Sequence, residues 1–94
     1  MKIAYLDILY DGTDAFEQLA HDLNRHAPKG VSVDYHYVTG TNNLEYIVFE
    51  NLVLNSIVIK INELRNAGYD AVIVGCFHDP AVDAARELYD DIII

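Results

Sequence analysis

The one cysteine of the chain, Cys76, lies where a reactive thiol is expected. It follows the apolar run Ala71–Val74, which is too short for a buried helix and is rich enough in β-branched residues to be a strand buried on both faces. Gly75 ends this run and lets another group approach the backbone closely. Asp79 and Pro80 then predict a helix start, with the carboxylate as N-cap and the proline at the first helical position. The partial positive field of that helix N-terminus favours the thiolate, the reactive form of cysteine.

Two interpretations of Cys76 follow from the residues alone. Most single cysteines are small core hydrophobes, so an inert buried thiol is the simpler one. Its position favours a catalytic role, because ligands of open α/β sheets bind beyond the carboxyl ends of the strands. The reactivity of the thiol at neutral pH separates the two.

The residues around the cysteine resemble the first cysteine motif of the Asp/Glu/hydantoin racemase family. The segment 75–80 has the sequence Gly-Cys-Phe-His-Asp-Pro, which is most similar to the Gly-Cys-Phe-x-Asp-Pro pattern of the hydantoin racemase branch. An Ala-Ala-Arg-Glu segment follows at residues 84–87, and the rest of the chain agrees more loosely. Members of this family have two similar α/β halves, each with one catalytic cysteine. The resemblance therefore implies that residues 1–94 form a single α/β domain, the N-terminal half of such a fold.

The same resemblance implies a racemase-type isomerase that needs no cofactor and acts on a hydantoin or an amino-acid-like substrate. Such an enzyme removes a proton from one face of a carbon and returns a proton to the other face, and this family uses paired thiols as the two acid/base groups. Cys76 would be one of them. Because the chain has a single cysteine, a lone monomer is not expected to racemise efficiently.

The resemblance also makes Phe77, His78 and Thr13 the candidate substrate-binding residues. Phe77 either lines the pocket or belongs to the core. His78 stands where the hydantoin branch commonly has glycine, and it either acts on substrate or thiol or is an exposed loop residue. Thr13 is the one residue of its turn that corresponds to an Asn-Pro-Asn-Thr type sequence in the family. The other histidines show no metal-ligand spacing, so no metal site is expected.

Three strand–helix units are predicted to position these residues. Strands are predicted at Lys2–Leu9, Val31–Val38 and Ala71–Phe77. Helices are predicted over residues 14–26, 49–67 and 80–89, the first with a capping box formed by Asp14 and Glu17. The middle helix contains a β-branched run that would also suit a strand, but a parallel sheet requires a crossover at this place.

This succession of elements predicts a three-layer αβα domain with a parallel sheet, flavodoxin-like or Rossmann-like. Ile92–Ile94 is expected to be the start of a fourth strand, which gives the strand order 2-1-3-4. The site is then expected between the carboxyl ends of the first and third strands.

The resemblance implies a small-molecule substrate, and charge and composition argue against two other classes of partner. A net charge of −9 argues against a nucleic-acid partner, which calls for a basic face. No apolar run approaches the roughly 20 residues needed to span a bilayer, so no membrane partner is expected. The chain begins directly with a strand pattern and has one cysteine, which favours a cytoplasmic location without a signal peptide.

The surplus of apolar residues in the middle helix predicts that it is covered on a second side or forms an interface. We expect a homo-oligomer that uses the segment 44–67, the Ile92–Ile94 strand, or both. Two other functions remain as alternatives on the same fold. One is a non-catalytic module that binds a small anion or a nucleotide; the other is a self-associating domain whose cysteine is only part of the core.

Overall fold

A computed structural model describes residues 1–39 and 46–94 and shows strands and helices in strict alternation. The elements are β1 (Lys2–Asp7), α1 (Ala15–His26), β2 (Ser32–Tyr37), α2 (Ile47–Asn66), β3 (Ala71–Val74) and α3 (Val82–Leu88). The first three predicted strands and all three predicted helices are present, with ends that differ by a few residues from the predicted ones.

The three strands form one parallel sheet in the order β2-β1-β3. In the central strand, Ile3 lies opposite Val33 of β2 and Ala71 of β3. The parallel α/β fold is therefore confirmed for these strands. β2 lies at the edge, as its alternation of polar and apolar residues predicted.

Helices cover both faces of the sheet, because alternate residues of β1 point to opposite sides. On one face, Tyr5 packs with Ala20 of α1 and with Val33. On the other face, Ala4 and Leu6 pack in a larger cluster with residues of α2 and α3. The buried members from the two helices are Val53, Ile57, Ile61, Leu64 and Ala85. The three layers α1, sheet and α2/α3 are those expected.

The first helix begins after Asp14, as predicted, but without the predicted capping box. The Asp14 side chain makes no capping hydrogen bond to the backbone. Its carbonyl instead accepts from the backbone N–H of Gln18 at 2.9 Å, which is the first bond of the helix. The amphipathic pattern alone therefore sets this helix start.

The long helix α2 carries apolar residues on more than one side. It is the crossover between the two outer strands, so its β-branched run is helical, and packing overrides the β preference of that run. Ile47, at the start of the helix, is 76% exposed, and three further apolar side chains, Val48, Leu52 and Ile59, are also more than half exposed. These three recur at i, i+4 and i+11 and so share one side of the helix.

The segment between β3 and α3 differs most from its prediction. The strand ends at Val74 and the helix begins at Val82, so Asp79 is not its N-cap and Pro80 is not its first residue. The residue that precedes the helix is Ala81, in the left-handed region at φ 63°. The side chain of Pro80 is fully buried and Ala81 is 7% exposed. Because these two residues pack into the core, the chain turns here, and the helix begins three residues after the predicted cap Asp79.

The predicted fourth strand is reduced to a single bridge. Ile93 pairs with Ala71 in parallel. Its N–H donates to the carbonyl of Asp70 at 3.1 Å, and its carbonyl accepts from Val72 at 2.8 Å. The order 2-1-3-4 is therefore not formed, because a strand needs successive ladder bonds and only one residue supplies them.

Candidate active-site cleft

A cleft of about 520 Å³ opens at the carboxyl end of β3, on the face that α1 covers only in part. Its walls are mostly apolar and come from β1, the loop after it, α1 and the end of β3. The lining residues are Tyr5, Leu9, Phe16, Leu19, Ile73, Val74, Gly75, Cys76, Phe77 and Asp79. The cleft thus lies between the ends of β1 and β3, at the position that the strand order implies for a ligand.

Cys76 is the nucleophilic side chain of this cleft. Its thiol is free and half-buried, with one side against the main core and the other toward the cleft. Its backbone N–H donates to the carbonyl of Val74 at 2.8 Å, and its own carbonyl accepts from Asp79 at 3.1 Å. These bonds fix the turn that presents the thiol.

The expected field of a helix N-terminus does not act directly on this thiol. The helix begins at Val82, a full turn and more beyond Cys76, and macrodipole effects fall off within the first turn. The expectation that Cys76 sits at a capped helix start is therefore wrong, because the chain first turns through the left-handed residues Asp79 and Ala81.

Gly75 has a steric reason to be glycine. A β-carbon at this position would lie 2.6 Å from the hydroxyl oxygen of Tyr5, 2.7 Å from the ring carbon Cζ that bears it, and 3.0 Å from the carbonyl oxygen of Leu6. The group expected to approach the backbone here is thus the Tyr5 ring. Gly75 also donates its N–H to that Leu6 carbonyl at 2.9 Å, which continues the sheet pairing up to the cysteine.

Tyr5 was not predicted as a site residue, because it lies inside an apolar strand pattern. Its side chain is 5% exposed but reaches the cleft wall beside Gly75. Burial raises the pKa of Tyr5 above its ordinary value, and the charges of Asp7 and Cys76 raise it further. The phenol therefore keeps its proton at neutral pH, and toward an anion it acts as the hydrogen-bond donor.

Asp7 is the buried carboxylate at the end of β1 and was also missed. It is 2% exposed. Its Oδ1 accepts from the backbone N–H of Leu9 at 2.9 Å, and its Oδ2 accepts from the Tyr35 hydroxyl at 2.8 Å. Burial, and then this hydrogen bond, raise the pKa of Tyr35 well above its ordinary value. The signal in the sequence was a single carboxylate inside an apolar run, because a buried carboxylate needs hydrogen-bond partners.

The three predicted substrate-binding residues are placed differently. Phe77 lines the cleft and its ring is fully exposed, so it is not a core residue. His78 is exposed and lies outside the cleft lining. Thr13 also lies outside it, and its N–H and hydroxyl donate to Asp11 Oδ1 at 2.9 and 2.7 Å. These bonds lower the pKa of Asp11 and close the turn on itself.

A second, smaller depression of about 270 Å³ lies between the end of β2 and α2. Its charged groups, Lys60 and Glu63, are 3.4 Å apart and neutralise each other. Within residues 1–39 and 46–94, no group of three or more His, Cys, Asp or Glu side chains is arranged to hold a metal ion. None of the helices in these ranges is long and apolar enough to cross a membrane.

The fold is similar to that of allantoin racemase from Klebsiella pneumoniae, with a TM-score of 0.77 and 20% sequence identity. The match covers 93% of this chain but 36% of that protein, so the chain spans well under half of its length. No family model and no curated protein matches the sequence. At this identity the likeness establishes a racemase-like fold.

Proposed function

We propose that the chain is a half of the two-half fold of the Asp/Glu/hydantoin racemases and that Cys76 is its catalytic acid/base. The observation that carries the proposal is the position of Cys76, half-buried at the carboxyl end of β3 and open to a cleft, in a fold like that of allantoin racemase. The Gly-Cys-Phe-x-Asp-Pro pattern supports the same assignment.

The substrate class that fits the cleft is a hydantoin or a related amino-acid derivative. Allantoin, which the structural relative is named for, contains a hydantoin ring. The carbon of such a ring that bears the substituent has an acidic hydrogen, because a neighbouring carbonyl delocalises the carbanion. A thiolate within reach can remove this hydrogen without a cofactor. Leu9, Phe16 and Phe77 supply an apolar wall for the substituent.

Racemisation needs a second acid/base group on the other face of that carbon. This chain has one cysteine, so a second thiol has to come from another polypeptide segment or from a second copy of the chain. A two-fold arrangement that brings two Cys76 thiols to one substrate would rebuild a symmetric site.

The test is a comparison of the full chain with its Cys76→Ala variant. We expect fast alkylation of wild-type Cys76 by iodoacetamide, and a loss of optical activity of an enantiopure hydantoin only under conditions where the protein is oligomeric. An unreactive thiol, or turnover that survives Cys76→Ala, would contradict the proposal.

Self-association is the second candidate function, and the exposed side of α2 favours it. Val48, Leu52 and Ile59 form an exposed apolar stripe, whereas exposed apolar residues on protein surfaces are usually scattered singly. The two candidates are compatible, because association is also the route by which a half-site gains a second acid/base group.

A further inference from the structure

We propose that the Tyr5 hydroxyl is the hydrogen-bond donor that holds the substrate oxygen while Cys76 removes the proton. The inference rests on the proposed function. It predicts a reaction that the cleft, with its single thiol, catalyses without a second acid/base group. That reaction is exchange of the substrate hydrogen with solvent, with the configuration retained.

The first support is the placement of the hydroxyl. Tyr5 lines the cleft beside Gly75, and Gly75 directly precedes Cys76. The absence of a side chain on Gly75 is what leaves room for the hydroxyl at this place, since a β-carbon there would overlap it. The phenol and the thiol therefore share one end of the cleft.

The second support is that this hydroxyl is buried without being used by the fold. The hydroxyls of Tyr35 and Tyr69 donate to Asp7 and Asp34, each at 2.8 Å. Among the described residues the Tyr5 hydroxyl has no such partner, although its residue is 5% exposed. No enclosed side-chain oxygen or nitrogen in these ranges is left unpaired. The Tyr5 oxygen is therefore not sealed in the core and reaches the open space of the cleft.

The third support is electrostatic. Burial raises the pKa of Tyr5, the charge of Asp7 raises it further, and an ionised Cys76 acts in the same direction. A largely buried phenol that stays protonated is a fixed hydrogen-bond donor in the wall of the cleft. Such a donor stabilises negative charge that develops on a nearby oxygen during reaction.

The chemical step follows from these two groups. The Cys76 thiolate takes the proton from the ring carbon of a hydantoin, and the electron pair of the broken C–H bond moves onto the adjacent carbonyl oxygen. The Tyr5 O–H donates a hydrogen bond to this oxygen. The S–H formed exchanges with water, and the thiol then returns a solvent-derived hydrogen to the same face of the carbon. No redox partner is needed.

The phenol and the thiol line the same cleft, and the chain has no second thiol. The isolated chain therefore has no second thiol to return a proton to the opposite face. In D₂O we expect the full chain to label an enantiopure hydantoin at the ring carbon faster than it inverts that carbon.

The experiment uses each enantiomer of 5-benzylhydantoin in turn, because a thiol on one face of the ring carbon reaches the hydrogen of one enantiomer. Each is incubated in D₂O at neutral pD with the protein held below its association concentration. Mass spectrometry follows deuterium uptake, chiral chromatography follows configuration, and a protein-free sample gives the spontaneous rate. We compare wild type with Cys76→Ala, Tyr5→Phe and Tyr89→Phe. Tyr5→Phe removes only the hydroxyl, and Tyr89→Phe makes the same change on a partly buried tyrosine outside the cleft.

We expect Tyr5→Phe to lower the exchange rate by about 10²-fold, the usual loss for one oxyanion donor, with the rate of Cys76 alkylation unchanged. Tyr89→Phe should match wild type. Exchange that depends on Cys76 but is equal in Tyr5→Phe would overturn this inference alone. Exchange in wild type no faster than in Cys76→Ala would overturn the proposed function with it. Inversion as fast as labelling would overturn the single-face mechanism.

A second replacement keeps the test decisive if Tyr5→Phe does not fold. Replacement of Tyr5 by 3-fluorotyrosine keeps the ring and hydroxyl but makes the phenol more acidic. The pH above which exchange declines should then move downward. An unchanged alkaline limit would contradict a role for the Tyr5 proton.

Discussion

The Nε2 atom of His36 lies 2.8 Å from the hydroxyl oxygen of Tyr69, and that hydroxyl donates its own proton to Asp34 Oδ2 at 2.8 Å. The oxygen of Tyr69 is therefore the acceptor, and Nε2 of the imidazole carries the hydrogen. Burial, and then the hydrogen bond to Asp34, raise the pKa of Tyr69 to about 12. The arrangement joins the edge strand β2 to the start of β3.

This network predicts a loss of stability on the acid side. Burial lowers the pKa of His36. The charges of Lys60 and Lys2 lower this pKa further, whereas the charge of Asp34 raises it. As pH falls through about 6.5, the unfolded chain binds a proton at this histidine before the folded chain does. The contribution of His36 to the free energy of unfolding should therefore be complete above that pH. It should decline as the pH falls further, until the lower pKa of the folded state is passed.

Urea unfolding at a series of pH values between 8 and 5 measures this decline. His36→Gln should flatten it, because the group that binds the proton is gone. His21→Gln, at an exposed histidine on α1, is the matched control and should keep the wild-type profile. A His36→Gln profile as steep as wild type would show that another group is responsible.

Gly75→Ala should destabilise the protein by about 1–3 kcal/mol, the usual cost of forcing a methyl group into a packed site. The added carbon meets the Tyr5 hydroxyl at 2.6 Å. Urea unfolding measures the loss. In a Tyr5→Leu background the same change should cost less, because part of the clash is gone. Strict additivity of the two changes would contradict the packing described.

Phe77→Ala should leave the free energy of unfolding within about 0.5 kcal/mol of wild type, as for other surface changes. The ring is fully exposed, so it adds nothing to the core. The Phe77→Ala substitution should nevertheless weaken the binding of 5-benzylhydantoin, because the ring that it removes lines the cleft. Titration followed by NMR checks the binding. Equal affinity in Phe77→Ala would remove Phe77 from the list of substrate-binding residues.

The double variant Leu52→Glu/Ile59→Glu should convert an oligomer to a monomer. Both side chains lie on the exposed stripe of α2, at 67% and 51% exposure, and charges there oppose the burial of the stripe. Light scattering at micromolar concentration gives the mass. Asn51→Glu, on an exposed neighbouring position of the same helix, is the control and should stay associated. A wild-type protein that is already monomeric would contradict the predicted assembly.

The sequence predicted the order and parallel direction of β2, β1 and β3, although not the absence of a full fourth strand, because that information is carried by hydrophobic runs and by the helical crossovers between them. The β1 and β2 patterns and the amphipathic α1 were enough to place three layers. The cleft at the end of β3 followed from topology alone. None of these steps needs knowledge of which side chains touch.

The errors arise where long-range packing decides the local structure. Asp79 and Pro80 have the residue types of a helix start, but Pro80 is buried in the core and the chain turns through Ala81 before α3 begins. Tyr5 and Asp7 were overlooked for the same reason. Their roles depend on Gly75 and Tyr35, which are distant in sequence and adjacent only in the folded sheet.

The central position of β1 has a consequence for the kinetics of folding. Its two neighbours enter the chain 30 and 68 residues later, as the pairs Lys2–Ser32 and Ile3–Ala71 show. Both crossovers have to close before the sheet is complete, so folding is expected to be slow for a chain of this size. The shorter closure, which docks α1 on β1 and β2, is expected to come first, so that the cleft forms only when β3 joins the sheet. Amide hydrogens at the end of β3 should therefore gain protection last in a pulse-labelled refolding experiment.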